Sequence, residues 1–338
     1  MGVQGLAQVV KGDRELEGLL CDGLARALQG RDFISLKDFT PEELGRMLEL
    51  ARVLKARRRS RAELPLLSGR SLAMIFHKPS TRTRLSFEVG MYQLGGQPLF
   101  LSSQELQLRR GETIEDTGRV LSRYVDGIMI RTFSHQDVLD LARAAEVPVI
   151  NGLTDYLHPC QALADYFTIG EKLGRIAGVR VAYVGDGNNV ARSLAFGAAR
   201  FGVHLVVASP PAYRLDPQSV AEANRLAEAT GATIELTEDP QEAAEGAEVL
   251  YTDVWASMGQ ESEHDQRRRA LLPYQLNAAL LQRARPGALV MHCLPAHRGE
   301  EITDEVMDGP QSVVFDQAEN RLHVQKALLA LLLGAGVS

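Results

Sequence analysis

Short runs rich in Val, Ile and Leu recur along the chain between longer segments with helix-like spacing of apolar residues. In the first half the runs are Leu72–Phe76, Pro98–Leu101, Gly127–Ile130 and Val147–Ile150. In the second half they are Val179–Val184, His204–Ala208, Thr233–Leu236, Glu248–Tyr251, Ala288–Met291 and Ser312–Phe315. They are near-continuous rather than alternating, as strands buried on both faces are. The intervening segments Arg84–Leu94, Ile114–Tyr124, Gln136–Ala144, Ala191–Phe201 and Pro217–Ala229 read as helices. Regular alternation of the two predicts an α/β chain of parallel sheets covered by helices. The pattern pauses in the polar stretch Asn151–His158, and a helix starting about Gln161 follows. We therefore expect two Rossmann-like parallel-sheet domains joined by helices, with a substrate cleft where they meet. A last helix, from about Asn320 to Leu333, has Leu322, Leu328, Leu329 and Leu332 to bury.

Composition narrows the class. The chain has 338 residues, 45% hydrophobic and 24% charged, which suits two globular domains. A net charge of −6 and a pI near 5.8 lack the basic footprint of a nucleic-acid binder. Three cysteines, Cys21, Cys160 and Cys293, argue for a reducing compartment and against a disulfide framework. No apolar run reaches membrane-spanning length; the longest is Ala327–Leu333. The first thirty residues lack a signal-peptide core, and Asp13, Glu15, Glu17 and Asp22 argue against a transit peptide. The expectation is a soluble, cytoplasmic protein, with residues 1–32 forming an N-terminal extension of unassigned role that reads as helical up to Gly30.

The first motif with chemistry follows the run ending at Phe76. Pro79 in His77-Lys78-Pro79-Ser80-Thr81-Arg82-Thr83-Arg84 fits neither strand nor helix interior, so the turn lies there. Ser80 or Thr81 can cap the next helix. Its first-turn N–H groups and positive dipole end then form an anion site, with Arg82 able to grip a phosphate. The bland reading is a capped helix with solvated arginines. Arginines interleaved with hydroxyls in a strand-to-helix turn favour a phosphate cradle. The Gly-Lys-Ser/Thr ending of a P-loop is missing.

Other segments each admit rival readings. Arg131 ends a strand, where a surface arginine is ordinary. His158-Pro159-Cys160-Gln161 could hold a core histidine or a metal fragment, but no second Cys/His pair with zinc spacing follows, so no metal is expected. His292-Cys293 suggests a nucleophilic dyad, yet neighbours on a strand point to opposite faces, so His292 is badly placed to activate Cys293. Gly185-Asp186-Gly187-Asn188-Asn189 suggests a dinucleotide turn. Val190 replaces the third glycine, and the next strand runs into Ser209-Pro210 rather than an acidic residue.

Ser80–Arg84 with Ser86-Phe87-Glu88 resembles the aspartate/ornithine carbamoyltransferase family, and the resemblance runs from about Phe33 to the C-terminus. It implies a carbamoyl-phosphate-binding domain over 33–152 plus 320–338, and an amino-acid-binding domain over 153–319. The C-terminal helix would pack back on the first domain. By resemblance Ser80, Thr81, Arg82, Thr83 and Arg131 hold the phosphate, and Arg321 lies near it. His158 donates to the carbamoyl oxygen, Gln161 takes its NH₂, and Cys293–Leu294 hold the carbamoyl amine. Gln107 matches a glutamine that a neighbouring subunit of a trimer inserts. Asn189, Asp253, Ser257 and Met258 would contact the amino acid, the last two in a Ser-Met-Gly loop found in the ornithine branch. The aspartate branch lacks that loop and has proline where Cys293 stands.

The implied reaction is acyl transfer from carbamoyl phosphate to the δ-amine of L-ornithine, giving citrulline and phosphate, with no cofactor and no covalent intermediate. Arg131, His158, Cys293 and Asp253 would serve the chemistry. The expected assembly is a homotrimer or a multiple of trimers, with no nucleic-acid or membrane partner. Rival readings are a carbamoyltransferase for putrescine or a modified ornithine, a non-catalytic binding protein and, more remotely, an NAD-dependent dehydrogenase.

Overall fold

The computed structural model describes residues 14–102, 111–256, 259 and 261–335. The chain divides into two compact units, Met1–Asp155 with Arg321–Ser338, and Tyr156–Asn320.

The first unit is built on a four-stranded parallel sheet, β1 (Ser71–Phe76), β2 (Gln97–Ser102), β3 (Gly127–Arg131) and β4 (Val149–Leu153), in the order β2-β1-β3-β4. Its core joins Ala73, Ile75, Ile128, Ile130 and Val149 to Val138 and Leu141 of the helix His135–Ala144. The second unit has a five-stranded parallel sheet, β5 (Arg180–Val184), β6 (His204–Ala208), β7 (Thr233–Thr237), β8 (Val249–Thr252) and β9 (Leu289–His292), in the order β7-β6-β5-β8-β9. Each unit is the expected α/β arrangement.

Both strand orders reverse once. In the first sheet the chain leaves β1 for β2 on one side and returns to β3 on the other. In the second it leaves β5 for β6 and returns to β8. Loops at the carboxyl ends of strands flanking such a reversal diverge and leave a crevice where ligands bind. Register aligns Phe76 with Arg131, and Thr252 with His292. Each pair of following loops therefore starts at one level.

Two elements differ from the sequence expectation. Ser312–Phe315 is no strand: Ser312 makes one bridge to Val290, and the last helix already begins at Val314 and runs to Leu332. The run is β-rich in composition, but Phe315 is 67% exposed, so it lacks the two-sided burial of strands such as β3 and β5. The helix Pro41–Arg59 lies outside the elements expected from periodicity. Its start is a capping box in which Thr40 and Glu43 satisfy each other's backbone N–H groups, with Pro41 in the first turn. The N-terminal extension, by contrast, is helical as expected, over 14–21 and again over Gly23–Leu28 among the described residues, and it buries Leu16, Leu19, Leu20 and Leu28. Among the described residues no helix is long and apolar enough to cross a membrane.

Candidate active site

In the first unit the turn after β1 delivers the cradle. Ser80 is the N-cap of the helix Thr81–Gln93, and its Oγ accepts from Thr83 N at 3.1 Å. That leaves the N–H groups of the first turn at the crevice edge, where the helix dipole favours an anion. Thr83 is buried, and its Oγ1 meets two guanidinium groups: Arg131 Nη1 at 3.4 Å and Arg321 Nη2 at 3.2 Å. Arg131 ends β3 and Arg321 lies in the helix Val314–Leu332; both are buried. Two buried guanidinium groups around one hydroxyl offer several charged donors at one point, the complement of a multiply charged anion. Arg84 is committed elsewhere: its Nε reaches Glu88 at 3.2 Å and its guanidinium lies over Phe100. The buried guanidinium groups beside Thr83 therefore come from β3 and the last helix. Gln107 lies outside the described residues.

In the second unit His158 occupies the N-cap position of the helix Pro159–Leu173, and its backbone N–H donates to Ser193 Oγ at 2.7 Å. Gln161, in the first turn, is buried and donates its amide nitrogen to Asp165 Oδ1 at 2.8 Å. Asp165 also accepts from Gln317 Nε2 at 2.7 Å and from the Tyr251 hydroxyl at 3.1 Å. Burial holds the Tyr251 phenol well above its usual range, so it stays a donor. The Gln161 amide is thereby fixed in orientation.

At the carboxyl ends of β5, β8 and β9 a second group assembles. Asp253 is buried, and Oδ1 accepts from Cys293 Sγ at 2.9 Å while Oδ2 accepts from Asn188 Nδ2 at 2.8 Å. Asn188 caps the helix Asn189–Phe201, accepting from Val190 N and Ala191 N, which brings Asn189 to the helix start beside it. Ser257 and Met258 lie outside the described residues.

His292 lies close to Cys293, but its ring nitrogens are engaged by other groups. Its Nδ1 accepts from Leu294 N at 2.9 Å, so Nε2 carries the proton and donates to buried Glu301 Oε1 at 2.9 Å. This pairing holds Leu294 at φ +60°, a left-handed backbone that leucine seldom adopts. Asp253, His292 and Cys293 cluster closely enough to suggest a metal site. Both His292 nitrogens are already engaged, so it cannot ligate without dismantling the turn. The dinucleotide reading also fails on geometry. A Cβ on Gly187 would lie 2.3 Å from Leu215 N and 2.6 Å from Arg214 C. The glycine serves close chain packing where a pyrophosphate would need room.

Four positioning residues escape sequence reasoning: Asn188, Asp186, Arg267 and Glu301. Arg267 Nη1 lies 3.0 Å from Asp186 Oδ2 and 3.3 Å from the Trp255 carbonyl, so it ties the β5 turn to the segment after Asp253. Burial pushes the Asp186 carboxyl up to about 6; Arg267 opposes this, and nearby Asp253 adds to it. Only Asn188 had a usable signal, as a capping residue ahead of a helical run.

Comparison with known proteins follows the same division. The description "Aspartate/ornithine carbamoyltransferase, carbamoyl-P binding domain" matches residues 31–171, and "Aspartate/ornithine carbamoyltransferase, Asp/Orn binding domain" matches 177–332. The chain belongs to the aspartate/ornithine carbamoyltransferase family. It is 58% identical over 308 residues to the ornithine carbamoyltransferase of Thermococcus kodakarensis, covering 91% of this chain and 98% of that one. The solved ornithine carbamoyltransferase of Pyrococcus furiosus superposes with a TM-score of 0.89 at 57% identity, over 92% of this chain and 99% of that one. The Thermus thermophilus ornithine carbamoyltransferase structure gives 0.80 at 44% identity, over 89% and 98%. Within this carbamoyltransferase frame, the Thr83 crevice falls in the carbamoyl-P binding segment and the Asp253–Cys293 pair in the Asp/Orn binding segment.

Proposed function

We propose that this chain transfers the carbamoyl group of carbamoyl phosphate to the δ-amine of L-ornithine, forming L-citrulline and phosphate. The observation that carries this reading is the Asp253 carboxylate, held between Cys293 Sγ and Asn188 Nδ2. A buried anion beside a thiol suits a basic amine acceptor and disfavours a dicarboxylate such as aspartate.

The phosphate leaving group is held by Ser80, Thr81, Arg82, Thr83 and Arg131, with Arg321 adding charge and Gln107 reaching the site from a neighbouring subunit. Carbamoyl transfer forms a tetrahedral oxyanion, which Arg131, His158 and Thr83 stabilise as preorganised donors. Asp165 keeps the Gln161 amide nitrogen, so the amide oxygen is oriented to accept from the carbamoyl NH₂. The Leu294 turn, held by His292, presents its backbone to the same NH₂. Asn189, Asp253, Ser257 and Met258 bind the amino acid, and Asp253 draws the ammonium in and positions the amine after it loses its proton. Phosphate departs with the bonding pair of the broken C–O bond. Cys293 orients the amine; the thiol forms no acyl bond, and no cofactor takes part.

The working form we infer is a cytoplasmic homotrimer or a multiple of it. A cavity of about 590 Å³ beside the cradle, lined in part by Ser80, Thr81, Leu85 and Phe100, supports a neighbour's approach. So do the exposed Leu85 (52%) and Tyr92 (76%) on the same helix. A relative from Pyrococcus furiosus is named "Ornithine carbamoyltransferase, anabolic", which supports the biosynthetic direction here.

The test is product stoichiometry. Purified chain with carbamoyl phosphate and L-ornithine should give citrulline and phosphate in equal amounts without added nucleotide. Phosphate release with no citrulline would remove the transferase reading.

A further inference from the structure

A second cluster in the Tyr156–Asn320 unit has chemistry that carbamoyl transfer does not use. His264 opens the helix His264–Leu271, while His297, Glu300 and Glu301 lie in the turn after β9. The two segments converge on one oxygen. Glu300 Oε2 lies 3.2 Å from His264 Nε2 and 3.9 Å from His297 Nδ1. In a tetrahedral zinc site with ligand bonds of about 2.1 Å, neighbouring ligand atoms stand about 3.4 Å apart. Small side-chain rotations would bring the trio onto one ion. The ligand atoms of His297, Glu300 and Glu301 lie within 4.8 Å of one another.

The turn is braced before any ion arrives. Gln275 Nε2 donates to the Gly299 carbonyl at 3.1 Å and to the Glu300 carbonyl at 2.8 Å. Glu301 is fully buried; its Oε1 accepts from His297 N at 2.6 Å and from His292 Nε2. Glu301 Oε2 is buried with no hydrogen-bond partner among the described residues. An orphan carboxylate oxygen at that depth is costly unless a cation or donor completes it. Asp265 Oδ1 lies 3.7 Å from His264 Nδ1, on the ring edge opposite the ligand nitrogen, where an orienting carboxylate is usual. Arg268 Nε stands 3.9 Å from Glu300 Oε1 and so faces the other oxygen.

We propose that His264, His297 and Glu300, with Glu301 behind them, form a binding site for a borderline divalent ion of the Zn²⁺, Co²⁺ or Ni²⁺ type. Two imidazoles and carboxylate oxygens match that class and are a poor match for Mg²⁺ or Ca²⁺. An ion there would fasten the helix His264–Leu271 to the turn that follows Cys293. Glu301 is shared with the active site through its contact with His292, whereas His264, His297 and Glu300 play no part in the transfer step.

Binding is read by calorimetric titration of Zn²⁺ into EDTA-stripped, full-length protein. Wild type and Cys293→Ser should each take up one equivalent. The double variant His264→Ala/His297→Ala should lose it while keeping the metal-free melting temperature. Glu300→Gln should bind at least tenfold more weakly. Added Zn²⁺ should raise the melting temperature of wild type and leave that of the double variant unchanged. The proposal is overturned by absence of Zn²⁺ uptake in wild type, by stoichiometric uptake in the double variant, or by loss of the equivalent in Cys293→Ser.

Discussion

Replacing Arg267 with methionine isolates the electrostatics beneath the acceptor half-site. Asp186 and Arg267 are each about nine-tenths buried, at 3.0 Å, and Arg267 also caps the Trp255 carbonyl. The Asp186 pKa rises from 3.8 to about 6. That displacement amounts to roughly 3 kcal/mol at about 1.4 kcal/mol per pH unit. A raised carboxyl pKa means that the folded chain holds the proton more tightly than the unfolded chain. The stability it contributes is therefore full at low pH and declines as pH climbs from 3.8 to about 6. Arg267 limits that decline by attracting the carboxylate. Methionine preserves much of the side-chain volume but leaves Asp186 a buried, uncompensated charge, a loss of about 3–5 kcal/mol. Urea unfolding near pH 8 should show that loss in R267M, and near pH 5 a clearly smaller one. Adding Asp186→Asn should restore most of it near pH 8, giving a coupling energy above about 2 kcal/mol in the double-mutant cycle. Because the pair holds the segment after Asp253, KM for ornithine should rise in R267M while KM for carbamoyl phosphate stays close to wild type. Equal destabilisation at both pH values, or no rescue by Asp186→Asn, would refute the reasoning.

Three further outcomes follow from the site. Thr83→Val removes the oxygen shared by Arg131 and Arg321. Both contacts are long, so the low end of the charged hydrogen-bond range, about 1.5 kcal/mol, applies, and KM for carbamoyl phosphate should rise roughly tenfold. An unchanged KM would place the phosphate elsewhere. Cys293→Ser should retain measurable turnover, and mass spectrometry of wild type under turnover should detect no carbamoyl-enzyme; a trapped adduct would favour cysteine catalysis. The rate should climb into the alkaline range, because an amine with pKa near ~10.4 must lose its proton before attack. A flat profile from neutral to alkaline pH contradicts that step.

The two sheets and the capped turn after β1 were legible because both rest on local signals. Runs such as Val179–Val184 are apolar on both faces, and Ser80–Arg84 carries cap, turn and cation in one stretch. Ser312–Phe315 misled because β-branched residues say nothing about burial: one face of that run meets solvent at Phe315. The positioning shell was illegible for a different reason. Asp186 and Arg267 stand 81 residues apart and Glu301 reaches His292 across a turn, so only the folded β5-β8-β9 order brings them together. Arg84 shows the converse, a residue inside the right motif whose side chain is taken up by Glu88 and Phe100.

The central claim is the choice of acceptor, and kcat/KM for different amines at saturating carbamoyl phosphate tests it most directly. With citrulline or its analogue as readout, L-ornithine should exceed putrescine, N-acetylornithine and aspartate by at least about tenfold, since each alternative loses a polar contact of the proposed acceptor site, at about 1.5–3 kcal/mol. Comparable turnover with aspartate, or a preference for putrescine, would contradict the account.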